Sequence, residues 1–114
     1  MSDCLFCKII KGDVSCEKVY EDESTFAFKD INPMAKEHYL FISKSHSKNI
    51  NEVSDNNPEQ LSSIFSAISN FTKDKKLVDS GFRVVTNLGP YGGQTVFHTH
   101  FHVLGGEQLR GFGA

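Results

Sequence analysis

A chain of 114 residues, 39% hydrophobic and 23% charged, fits a single globular domain, 1–114, with its own core. A net charge of −2 excludes a protein held to nucleic acid by bulk charge, though not one that binds a single nucleotide. No apolar stretch approaches the roughly 20 residues of a membrane span, and Asp3 and Lys8 interrupt any signal-peptide pattern, so no membrane association and a cytoplasmic location are expected.

The first element is a short helix. Leu5, Phe6 and Ile9 recur at helical spacing within residues 4–11, and Gly12 stops the run. Cys4 and Cys7 form a C-x-x-C pair that suggests metal or redox chemistry; a metal site needs two further ligands. Val19-Tyr20 and Thr25–Phe28 then read as a hairpin across the acidic turn 21–23. Asp30 to Pro33 is a loop, because Asn before Pro disfavours helix. His38–Ser43 is a largely apolar strand. A helix follows from Pro58 to about Lys76, with Asn57 as N-cap and Gln60 completing a capping-box pattern. Its stripe of Leu61, Ile64, Phe65, Ile68 and Phe71 is a core face. Phe82–Leu88 reads as a strand, 89–93 as a loop, and Phe97–Leu104 as the last strand. Strands and helices in this order predict an α+β fold with a mostly antiparallel sheet.

Three of the five histidines fall within the last strand: His98, His100 and His102. Alternation puts them on one face, about 6.6–7 Å apart, with Phe97, Thr99, Phe101 and Val103 on the other. A solvated polar face, a metal site and nucleophilic or acid–base catalysis all compete for this pattern. Histidine is neither a favoured strand former nor cheap to bury unpaired, so folding alone does not ask for three. The preceding Gly92-Gly93-Gln94-Thr95 offers backbone N–H groups, an amide and a hydroxyl of the kind that cradle phosphate. That neighbour favours phosphoryl chemistry, for which imidazole is suited by a pKa near neutrality.

At G-G-Q-T-V-F-H-T-H-F-H-V-L-G-G (residues 92–106) the chain resembles the histidine triad (HIT) family, its Hint branch in particular. F-C-K-I-I, F-K-D-I-N-P, H-Y-L-F-I and V-V-T-N extend the likeness over nearly the whole chain. The resemblance implies a five-stranded antiparallel sheet with two helices, pairing into a ten-stranded homodimer. It implies hydrolysis at the α-phosphate of purine nucleotides (AMP, GMP) and their phosphoramidate conjugates, with no cofactor required for catalysis. His100 would attack phosphorus and carry a nucleotidyl intermediate. His102 would assist the leaving group, His98 would orient His100, His38 would be a fourth member of the cluster, and Gln94 would handle the leaving group. Asp30 matches a ribose-binding position. Leu5, Phe6, Ile9, Phe28 and Ile31 match the purine enclosure, although their spacing alone reads as core. Asn87, Gly93 and Thr95, with Gln94, match phosphate contacts.

Thr99 departs from the family's usual apolar residue, and 109–114 lack the Trp-containing tail of the best-known Hint enzymes. Cys4 and Cys7 match HIT proteins in which C-x-x-C joins two histidines on zinc; the matching histidines here are His46 and His98. One structural zinc per chain is the implied cofactor. Cys16 matches no ligand position. A dinucleoside polyphosphate hydrolase and a nucleotide-binding interaction protein are the rival functions, and Gly105-Gly106 weighs against the first.

Overall fold

The computed structural model describes residues 3–112. Helix α1 (Leu5–Lys11) starts at Cys4, whose Sγ accepts from the Cys7 N–H, and ends at Gly12, which takes φ +87° to turn the chain out of the helix. Strands β1 (Lys18–Glu21) and β2 (Thr25–Lys29) form the expected hairpin. Asp22 Oδ1 accepts from the N–H groups of Ser24 and Thr25, which closes its turn. Then come β3 (Glu37–Ser43), α2 (Ile50–Asn56), α3 (Pro58–Asp74), β4 (Phe82–Val85), α4 (Gly89–Gly92) and β5 (His100–Gly105). The sheet is antiparallel throughout, in the order β1-β2-β3-β5-β4.

The central strand β3 is buried on both faces, as its unbroken H-Y-L-F-I run requires. Tyr39 and Phe41 pack with Phe101, Val103 and the Ile64, Ile68 and Phe71 face of α3. Leu40 and Ile42 pack on the opposite side with Phe26, Phe28 and the Phe6 and Ile9 face of α1. Each fully buried side chain of this kind stabilises the fold by roughly 1.5–3 kcal/mol. Helix α3 therefore closes one face, and the much shorter α1 covers only part of the other. His38, His100 and His102 lie on this second face beside α1, where Phe6 packs edge-on against His100.

Several elements differ from expectation. Strand β5 begins at His100, not Phe97, because residues 97–99 bend away to bond the loop after β3. His98 thus precedes the strand, and Phe97 is 59% exposed instead of packed. Phe65 is half-exposed at the flank of the α3 stripe. Asn57 makes no side-chain cap; the Gln60 amide instead donates to the Ser24 carbonyl, tying α3 to the hairpin. Helix α3 ends at Asp74, and Lys76 turns at φ +58°. Helices α2 and α4 were not expected. Strand β4 stops at Val85, short of Leu88. Gly106 is required where it stands: it takes φ +82°, and a Cβ there would lie 2.6 Å from Glu37 Cγ.

Candidate active site and metal centre

A cleft of about 430 Å³ opens on the histidine face. Phe6, Ile9 and Phe28 make its floor while also belonging to the core. Leu5 and Ile31 stand exposed at its rim, and Asp30, Asn87, Gly93 and Thr95 line it beside His100 and His102.

Hydrogen bonds assign the tautomers along this wall. His100 Nδ1 lies 2.6 Å from the His98 carbonyl, so Nδ1–H donates and Nε2 keeps a bare lone pair. Met34 N–H donates to His38 Nδ1 at 3.0 Å, which leaves the proton of a neutral His38 on Nε2. His38 Nε2 lies 2.9 Å from His102 Nδ1 and donates to it, so His102 carries its proton on Nε2. Asp30 Oδ2 stands 3.4 Å from the same His38 nitrogen. Asp30, His38 and His102 are close enough to hold a cation, but a protonated His38 Nε2 makes them a hydrogen-bond relay instead. One nucleophilic nitrogen and one N–H thus stand side by side on rings whose centroids are 5.2 Å apart.

Burial keeps these rings neutral. It lowers the pKa of His100, against the opposing pull of the His98 carbonyl and Asp30. Burial, then His100 and His38, push His102 from 6.5 down to about 4. A depressed histidine pKa means that the unfolded chain binds more protons. The stability contributed by neutral His102 is fully present above pH 6.5 and is lost as pH falls toward about 4. Urea midpoints measured across that window should decline in acid, and His102→Asn should flatten the decline; an identical slope in the variant would rule out the assignment.

The Gln94 side chain is buried but does not line the cleft. Its Nε2 donates to the Lys48 and Val96 carbonyls at 2.7 and 3.2 Å, and its Oε1 accepts from Gly89 N–H. The amide therefore braces the loop that carries Gly93 and Thr95.

On the far side of His98, the ligand atoms of Cys4, Cys7, His46 and His98 all lie within 4.8 Å of one another. His98 Nδ1 is 3.3 Å from Cys4 Sγ, 3.6 Å from Cys7 Sγ and 3.3 Å from His46 Nδ1; Cys7 Sγ is 3.5 Å from His46 Nδ1. A tetrahedral ion with bonds of about 2.3 Å to sulfur and 2.0–2.1 Å to nitrogen has N···N edges near 3.3 Å and S···N edges near 3.5 Å. The four residues fit such an ion. His98 Nε2–H donates to the Ser43 carbonyl at 2.7 Å, which leaves Nδ1 as the ligating nitrogen. Burial pushes the His98 pKa down to about 4, which keeps that ring neutral.

Residues 3–112 match the family model described as "Scavenger mRNA decapping enzyme C-term binding". An uncharacterized HIT-like protein of Borreliella burgdorferi is 41% identical over 114 residues, covering 99% of this chain and 82% of that protein. The chain belongs to the histidine triad family. A solved HIT family hydrolase from Clostridium thermocellum is 41% identical with a TM-score of 0.93, covering 98% of this chain and 97% of that one. A histidine triad protein from Clostridium difficile is 39% identical with a TM-score of 0.95, covering 99% and 98%.

Most of the residues picked out by the family likeness line the cleft; Gln94 and the metal set stand apart from it, and His38 reaches it only through its hydrogen bond to His102. Sequence reading missed Val14, Ser15 and Cys16, which form a wall of the cleft together with Val96. They lie in the aperiodic connection between α1 and β1, where no pattern announces a binding role. Among the described residues, no helix of this triad protein is long and apolar enough to cross a membrane.

Proposed function

We propose that this protein hydrolyses purine nucleoside phosphoramidates and related nucleotide conjugates at the α-phosphate. The observation that carries this is the bare Nε2 of His100, fixed by the His98 carbonyl and flanked by the Nε2–H of His102. Attack by Nε2 forms a P–N bond to His100 as the bond to the leaving nitrogen breaks, and that nitrogen takes a proton from solvent so that it departs as a neutral amine, with the His102 Nε2–H donating a hydrogen bond beside it. Water then attacks phosphorus and gives a proton back to solvent, the P–Nε2 bond breaks with its electron pair returning to His100 Nε2, and a nucleoside monophosphate is released. Asn87, Gly93 and Thr95 supply donors for the phosphate oxygens. The apolar floor suits a purine, and Asp30 suits the ribose diol. The metal set takes no part in this chemistry; zinc fits it as a structural ion.

The direct test is turnover of adenosine 5′-phosphoramidate beside AMP-lysine and diadenosine polyphosphates, with trapping of adenylylated His100. Preference for the diadenosine compounds would favour the polyphosphate-hydrolase rival, and binding without turnover the interaction-protein rival.

Asp30 Oδ1 already accepts the Asn32 N–H at 2.8 Å, so an Asx turn and a cleft position coexist in one residue. A carboxylate offers about four acceptor sites, enough to add two hydroxyls. Asp30→Ala should weaken nucleotide binding by roughly 1.5–3 kcal/mol, with little further loss for a 2′,3′-dideoxy ligand. Equal dideoxy losses in variant and wild type would remove Asp30 from the ribose site.

The reading includes a homodimer. Strand β4 lies at the sheet edge, with half-exposed Val84 on it, Leu88 just beyond, and Phe65 half-exposed on α3. Pairing of two such edges would cover them and make a ten-stranded sheet. Light scattering on the purified protein tests it.

A further inference from the structure

The β3–β5 ladder runs from the Glu37–Gly105 pair to the Ile42–His100 pair and stops there. Residue 99 is thus held by something other than the sheet. Thr99 N–H donates to the Ser47 carbonyl at 2.7 Å, and Thr99 Oγ1 reaches the same oxygen at 3.3 Å. Ser47 Oγ lies 2.6 Å from Thr99 Oγ1. The three contacts close a ring: Ser47 Oγ–H to Thr99 Oγ1, and Thr99 Oγ1–H back to the Ser47 carbonyl. Both side chains are buried, Thr99 at 1% and Ser47 at 8% exposure, and neither lines the cleft. A buried hydroxyl is costly unless bonded, so the pair holds one geometry.

That geometry bears on catalysis through a single peptide unit. The Thr99 N–H and the His98 C=O belong to the same planar trans group and point in opposite directions. Anchoring the N–H on Ser47 therefore aims the carbonyl, and that carbonyl receives His100 Nδ1–H at 2.6 Å. We propose that Ser47 and Thr99 form a positioning clamp which, through the His98–Thr99 peptide, sets the tautomer and aim of His100. This rests on His100 being the nucleophile. It also gives a role to the hydroxyl at position 99, where strand alternation and family likeness both call for an apolar residue.

The test compares Thr99→Val, Thr99→Ser and Ser47→Ala with wild type by steady-state kinetics on adenosine 5′-phosphoramidate. Ring ¹⁵N NMR of the ligand-free proteins is measured beside them. Thr99→Val should lower kcat about tenfold with KM within about twofold, since the groups that hold substrate are untouched. Ser47→Ala should shift kcat in the same direction, and Thr99→Ser, which keeps the hydroxyl, should stay within about twofold of wild type. In the spectra, His100 should be the Nδ1–H tautomer in wild type and a tautomer mixture in Thr99→Val. An unaltered His100 tautomer, a kcat within twofold of wild type in Thr99→Val, or an equal loss in Thr99→Ser overturns the clamp. So does failure of both Thr99→Val and Ser47→Ala to fold, which would make the pair a folding element. A wild-type protein inactive on the phosphoramidate would overturn the proposed reaction instead, and the ring spectra would still decide the clamp.

Discussion

Replacing His100 with alanine should lower turnover of adenosine 5′-phosphoramidate by about 10³-fold or more, the scale seen when a covalent nucleophile is removed. No neighbour can take over. His102 Nδ1 is occupied by the His38 Nε2–H and its other nitrogen carries the proton, so His102 offers the cleft a donor and no lone pair. His38 is bonded at both nitrogens, by Met34 N–H and by His102. His98 faces the cysteines and Ser43. Nucleotide affinity should change little in His100→Asn, because the apolar floor, Asp30 and the phosphate donors remain. An alanine variant that retains more than about a tenth of the wild-type rate, less than 1.4 kcal/mol of barrier, would show that His100 is not the nucleophile. Phe6 packs edge-on to this ring with centroids 5.0 Å apart, so binding should be checked in the variant before its rate is interpreted.

The sequence disclosed those parts of the molecule whose signal is local. The α3 stripe, the β3 run and the histidine alternation each follow from periods of 3.6 or 2. Helix α2 carries a local signal of its own: the Asn49 side chain accepts from Glu52 N–H, and the Glu52 carboxylate accepts from Lys48 N–H. Its Asn-x-x-Glu pattern lacks only an apolar run to draw attention. What local pattern cannot reveal is where a strand stops pairing. The start of β5 is decided by Ser43 and Ser47, about fifty residues earlier in the chain, so alternation places His98 in the strand although it serves the bend. The same holds for Gln94. Its amide in the loop beside the histidines, together with the family likeness, implies a substrate contact, but the carbonyl of Lys48 claims that amide. Ser15 and Cys16 reach the cleft only because the connection after Gly12 folds back over it, a path fixed by tertiary packing.

Removing a metal ion held by Cys4, Cys7, His46 and His98 should cost mainly stability. Cys4→Ser, or a strong chelator, is expected to lower Tm by about 10 °C or more, since structural zinc binding is folding free energy and a domain of this size loses roughly 4 °C per kcal/mol. The size follows from what the four ligands join. Cys4 and Cys7 belong to the start of α1, His46 to the loop after β3, and His98 to the bend before β5, up to 94 residues from Cys4. An ion at their centre would close the loops that join these three segments. Burial and the neighbouring Cys4 push the Cys7 thiol up, the direction that a bound dication reverses. The protein purified without a His-tag should carry about one zinc per chain. Cys16→Ser, which removes a thiol outside the tetrahedron, should leave both metal content and Tm unchanged. Activity should fall less than stability at temperatures where the fold survives, because the metal would use the His98 ring and His100 uses the His98 backbone carbonyl. Zinc-free protein whose Tm is unmoved by chelator would mean that the four ligand atoms, for all their tetrahedral spacing, are held together by packing alone.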